Sequence, residues 1–267
     1  MLRLLVLTAF LFLVELTEVR CQTDEFNATQ FETVLESARF HLKSSHYDSC
    51  RSDLIVLLDM AKDQRSDKWR GVGLTQLGIL NLYEGKYPSA LHYCREAIGF
   101  LERADDDDAL ADCYNTLGSI YFLQEDYQRA KSSYQQSFAL LESSDDIWSL
   151  ANTCNNIGLT YSKLNEPDSA LQYHELSLEI WEENESISGK AITLEHIGNC
   201  LSQMGREQEA LSKLKESRGL MKEGRASTVL DISIGNLKLK IGNYRSAVEW
   251  CSSALRVSRK NRYRKYT

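Results

Sequence analysis

Residues 114–130 read YNTLGSIYFLQEDYQRA, a helical pattern with a glycine, Gly118, set inside it. Glycine within a helix costs about 1 kcal/mol relative to alanine, so one occurrence is a blemish and a periodic one is a design. Gly78, Gly118, Gly158 and Gly198 follow one another at intervals of 40, and Ala90, Ala130, Ala170 and Ala210 each stand 12 residues further on. Gly235 and Ala247 repeat the pair after a link of 37. Counting back from Gly78 reaches Ala38, with Tyr47 and Cys50 at the places of Tyr87 and Ala90. The chain therefore holds six copies, the first the most degenerate, over residues 29–258. A fixed period in the range of roughly 20–50 residues indicates a solenoid or a propeller.

Each copy resolves into two helices. In the third, the spacing predicts a first helix over 109–123, a turn at Gln124, Glu125 and Asp126, and a second helix over 127–141. Leu117, Ile120 and Tyr121, then Tyr127, Ala130, Tyr134 and Phe138, recur at three- and four-residue intervals, the period of an amphipathic helix. No copy alternates as a strand does. Pro88 and Pro167, the two prolines, fall where second helices start and a missing N–H does little harm. The fold class is all-α. Within a hairpin, Gly on the first helix (A) and Ala on the second (B) allow the close approach that offsets the cost in helix propensity.

The spaced set Leu117, Gly118, Tyr121, Ala130 and Ser137 resembles the tetratricopeptide repeat (TPR) family. The neighbouring copies carry Ile157, Gly158, Tyr161, Ala170 and Ser177, and Leu77, Gly78, Ala90 and Ala97. The family's usual period is about 34 residues. A period of 40 is similar to the longer repeats of kinesin light chains and Pins-type modulators. The resemblance implies a right-handed superhelical solenoid of six antiparallel helix–turn–helix repeats. Such an array has no internal domain boundary, because each repeat buries its apolar side on the next.

The flanks read differently. MLRLLVLTAFLFLVELTEVRC has an early Arg3 and an apolar run from Leu4 to Val14, too short to span a bilayer but suited to a secretory signal peptide. The expected organisation is a signal peptide at 1–21, a short segment at 22–28, the repeat array at 29–258 and a basic tail at 259–267. An uncleaved anchor is the alternative at the N-terminus. The last twelve residues hold six Lys or Arg and read as a solvated helix end, or as a tail for an acidic partner. The net charge of −7 argues against nucleic-acid binding, which needs a basic surface. Two glycosylation acceptors follow from a secretory reading, Asn27 and Asn184, the latter in a loop between repeats. Of seven cysteines, Cys50 occupies an alanine position and Cys94 and Cys251 share another on helix B. Most are expected to be free packing residues, with Cys94 and Cys113 the pair best placed to be linked.

Catalysis finds no support. The histidines are scattered, and there is no HExxH, CxxC or phosphate loop. The run Asp105–Asp108 looks like a metal cluster until the phase is applied. Asp145 and Asp146 recur 40 residues later and Glu185 after another 40, so these acids mark starts of A helices, where the dipole favours them. No metal site and no cofactor are expected. What remains is recognition.

The resemblance implies a concave face lined by helix A, which would hold a peptide. Counted from each glycine, the inward positions are Asn115, Thr116 and Ser119, then Asn155 and Asn156, then Asn199, Ser202 and Gln203, and finally Asn236. Asparagine amides donate and accept and could hold a peptide backbone. The carboxylate clamp of chaperone-binding members starts from a lysine, where this chain has Thr75, Asn115, Asn155 and Glu195, which argues against a chaperone C-terminus as ligand. The expected function is a non-enzymatic scaffold for a protein or peptide. It would work in the secretory pathway, secreted or lumenal, without a membrane span once the signal is removed. The alternatives are a cytoplasmic adaptor of the kinesin light chain or Pins type, and a lumenal holder of unfolded chains.

Overall fold

The computed structural model describes residues 28–222 and 225–263, with side chains described throughout except at 225, 226 and 259–263. The expected signal peptide, Asn27 and the end of the basic tail lie outside these residues. The described residues form an all-α helical repeat solenoid. Its helices are α1 (28–43), α2 (Tyr47–Asp63), α3 (Asp67–Tyr83), α4 (Tyr87–Ala104), α5 (Asp107–Leu123), α6 (Tyr127–Leu141), α7 (Ile147–Lys163), α8 (Pro167–Glu183), α9 (Ile187–Gln203), α10 (Glu207–Leu220), α11 (Arg225–Lys240) and α12 (Tyr244–Tyr263). Odd-numbered helices are the A helices and even-numbered ones the B helices. The described residues divide within α5 into two compact units, the first ending at residue 116 and the second beginning at 117.

Helix starts keep the period. Ser66, Asp106, Asp146 and Ser186, 40 residues apart, cap α3, α5, α7 and α9: each side-chain oxygen accepts from the backbone N–H three residues on. Such caps satisfy a donor that the helix start leaves orphaned. Glu185, which the periodicity placed among the helix-A acids, instead lies one residue before its cap with φ +52°. It belongs to a second rhythm. Ser45, Arg65, Gly85, Asp105, Glu125, Asn165, Glu185 and Gly205 all have positive φ, at a spacing of 20 broken only at residue 145. Every fully described connection except that between α6 and α7, whether inside a hairpin or between repeats, turns the chain with one left-handed residue after the last helical turn, Gly242 doing so between α11 and α12. At the break α6 ends at Leu141, and the Ser144 hydroxyl instead accepts from the Asp146 N–H at 2.9 Å.

In the first unit, Phe31, Leu35, Leu57 and Ala61 form one core cluster and Ala38, Cys50, Leu54, Leu77 and Leu80 another. The degenerate first repeat is thus a packed hairpin, with Phe31 stacked on Trp69 at 4.8 Å. In the second unit, Ile197, Leu201, Ala210, Leu211, Leu214, Leu230, Ile234 and Leu237 join α9, α10 and α11.

The helix-A glycines are explained, with one refinement. The alanines twelve residues on are fully or almost fully buried, but the side chain lying over each glycine comes from sixteen residues on. A Cβ on Gly118 would sit 2.6 Å from the Tyr134 ring, on Gly158 2.6 Å from the His174 ring, on Gly198 2.7 Å from Leu214, and on Gly78 or Gly235 2.6 Å from the sulfur of Cys94 or Cys251. The crossing is a fixed gap filled by whatever helix B supplies.

Candidate functional site

The described cysteines are free thiols. Cys94 and Cys113 are not bonded to each other; the Cys113 Sγ–H donates to the Cys94 carbonyl at 3.3 Å. Burial pushes the Cys154 thiol up to about 12, so it stays protonated. Among the described residues no group of three or more His, Cys, Asp or Glu could hold a metal, and no helix is long and apolar enough to cross a membrane.

The nine inward residues divide. Asn115 and Thr116 belong to the first unit. Thr116 is 8% exposed and its hydroxyl donates to the Asp112 carbonyl. Ser119 is half-buried and accepts from the Tyr134 hydroxyl at 3.1 Å, and Asn156 is half-buried. Asn155 is 6% exposed, its Nδ2 donating to Thr193 Oγ1 at 2.7 Å and its Oδ1 lying 3.0 Å from His174 Nδ1. Two expectations are corrected here. Asn155 and Thr116 are not open to a ligand, because their polar groups are used inside the fold.

Asn155 is held by what lies over Gly158. His174, 1% exposed, needs a polar neighbour, and the asparagine one helix away supplies it. The His196 ring lies 5.2 Å from that of His174, and the Ser177 hydroxyl donates to the Ala151 carbonyl at 2.9 Å, close to Thr193. His174 Nε2 and His196 Nδ1 are buried without hydrogen-bond partners. Burial and the neighbouring imidazole hold His174 down at about 3, and burial holds His196 at about 4, so both rings are neutral at ordinary pH. This internal polar seam was not foreseen from the sequence. The signal was available only once the residue over each glycine was known.

The remaining residues gather in the second unit. Asn199 and Ser202 of α9, Leu214 of α10, and Ser233, Asn236, Leu237 and Lys240 of α11 line a cavity of about 240 Å³. Asn199 and Asn236 are exposed, as is Gln203 one turn beyond Asn199. Leu214 and Leu237 belong to the core and make an apolar floor. The ammonium of Lys240 donates to the Ser202 carbonyl at 2.9 Å and pairs with Glu207 at 3.1 Å. The rim therefore offers amides and hydroxyls over apolar ground, a combination suited to polypeptide. Asn184 is exposed at the turn between α8 and α9, its Nδ2 donating to the Ile180 carbonyl. Ser186 of that acceptor triplet is buried as the cap of α9.

Comparison with known proteins fits this geometry. Residues 70–143 and 149–223, together more than half of the chain, match the family model described as tetratricopeptide repeat. No curated protein matches the sequence. Among solved structures, BtubC (BKLC) from P. vanneervenii is similar with a TM-score of 0.65 at 16% identity, over 88% of this chain and 92% of that one. A Rap protein complexed with competence and sporulation factor is similar with a TM-score of 0.66 at 16% identity, over 88% and 76%. The repeats of a putative kinesin light chain from Podosopora anserina give 0.60 at 12%, over 70% and 94%. At such identities the likeness is one of fold.

Proposed function

The chain belongs to the tetratricopeptide repeat family, and from that premise we propose that it is a non-enzymatic scaffold binding a protein or peptide on the helix-A face of its second unit. The observation that carries this reading is the cavity between α9 and α11, where Asn199, Ser202, Ser233 and Asn236 surround an apolar floor. Support comes from the Rap structure, which is a complex with competence and sporulation factor. We extend the reading to the secretory pathway, on the strength of the N-terminal sequence and of Asn184 standing exposed in a turn.

The test is the double variant Asn199→Ala with Asn236→Ala. Each lost hydrogen bond costs about 0.5–1.5 kcal/mol, so capture of the partner found by pull-down should weaken by about tenfold or more. Helix stability should hold or rise, because alanine is the better helix former. Undiminished capture by the double variant, with loss on changing exposed Gln135 of α6, would move binding to the B-helix surface and refute the proposal.

A further inference from the structure

The faces of α9 and α11 beside the cavity match position for position, because Asn236 stands to Gly235 as Asn199 stands to Gly198. Going one turn toward the helix starts from the two asparagines, α9 presents Glu195 and α11 presents Ile232. One turn further back stand Ile192 and Val229. Ile192, Ile232 and Val229 are 49%, 45% and 52% exposed, three large apolar side chains that the described residues do not cover. At helical spacing Glu195 lies on the same flank of α9 as Ser202, the flank that borders the cavity.

Charge on this face is unbalanced. Lys240 is engaged by Glu207 and by the Ser202 carbonyl, and His196 is held neutral by burial. Glu195, the ionisable acid of this face, has neither a hydrogen bond nor an ion pair among the described residues. It is half-buried, and burial raises its carboxyl above the ordinary value. A partly desolvated carboxylate without a partner is costly unless something brings it a cation. The chain as a whole carries −7, which favours the approach of a basic ligand.

We propose that the ligand of this face is a peptide segment bearing a lysine or arginine next to large apolar residues, its cation seated on Glu195, its apolar side chains on Ile192, Val229 and Ile232, and its backbone on Asn199 and Asn236. The inference rests on the binding face assigned above and adds the chemistry of the ligand. An extended segment advances roughly 3.3 Å per residue and a helix turn rises about 5.4 Å. The basic residue therefore falls one or two positions from the segment held by the asparagines, with the apolar residues just beyond.

A random peptide library displayed on phage, selected on the full chain, tests it. Selected peptides should be rich in Lys or Arg beside Leu, Ile, Phe or Met. A synthesised winner should bind Glu195→Gln on the order of tenfold more weakly, the scale of a lost charge-assisted contact. Selection on Glu195→Lys should reverse the preference to Asp or Glu. Winners without basic residues, or winners bound equally by the parent and Glu195→Gln, overturn the inference. If such winners are still lost on Asn199→Ala with Asn236→Ala, the binding face stands and only its proposed chemistry falls. Selection that enriches nothing, or winners indifferent to the asparagines, takes the binding face down as well.

Discussion

Acidifying from pH 7 to 5 should cost the second unit about 2 kcal/mol for each of His174 and His196. Both are neutral in the fold, at about 3 and about 4, against about 6.5 for a free imidazole. Below pH 6.5 the unfolded chain binds these protons and the folded chain does not. Their contribution is thus fully present above 6.5 and is lost as the pH falls toward 4 and 3. In the steep part of that window each ring costs about 1.4 kcal/mol per pH unit. Glu195, raised by burial, works in the opposite direction, because protonating it relieves the fold. The informative quantity is therefore the difference between parent and variant. His174→Gln keeps a donor toward Asn155 Oδ1 and cannot ionise. Urea unfolding followed by circular dichroism at pH 7 and pH 5 should show the parent losing about 2 kcal/mol more than His174→Gln over that interval. The variant can be less stable at pH 7 and must still be flatter. Parallel pH profiles would mean that His174 is not held neutral by its surroundings and would sink the argument.

Two further outcomes are expected. Asp231, fully buried and paired with Arg218 at 2.6 Å, stands where the fifth repeat has Leu194, and Arg218 of the fifth repeat stands where the fourth has Leu178. Arg218→Leu alone should cost about 3–5 kcal/mol by stranding a buried carboxylate, whereas Arg218→Leu with Asp231→Leu should recover most of that loss in urea unfolding. A double variant as unstable as the single one would show that the charged pair is needed for its geometry. Expressed in a secretory cell, the chain should lose residues up to about Cys21 and carry glycan on Asn184 or Asn27. An intact Met1 with no mass shift on deglycosylation would place the protein elsewhere.

The fold was legible because its signal is positional. A glycine inside a helix has few explanations, and five of them in phase with an alanine have one. The hairpin turn at 124–126 came out at the expected residues, and α5 began two residues earlier than expected because Asp106 caps it. The cavity was partly legible: Asn199, Ser202 and Asn236 meet there. Asn155 misled for a physical reason. It shares its repeat position with Asn115 and Glu195, but whether that position faces outward depends on the side chain that crosses the glycine from helix B. In the fourth repeat that side chain is histidine, whose nitrogen draws the amide inward. In the fifth it is Leu214, which asks for nothing, and Glu195 stays half-buried without a hydrogen-bond partner among the described residues. Such pairings join residues 19 apart in the chain whose meeting depends on packing, and no spacing rule in one sequence announces them.

The left-handed residue that closes nearly every helix also acts as a ruler. With one at each interval of 20 from residue 45 to 205 except at 145, six of the eight helices in that stretch run 17 residues, about 25 Å of rise. One residue added within a helix turns everything after it by about 100°, carrying its apolar stripe off the neighbouring helix. A change in length survives only where a connection or a helix end absorbs it. The shortened fifth link shows how: α10 has 14 residues, and α11 still brings Leu230, Ile234 and Leu237 onto the shared core. Lengths compatible with this architecture therefore come in steps of a whole forty-residue period, with small remainders taken up where a B helix runs out.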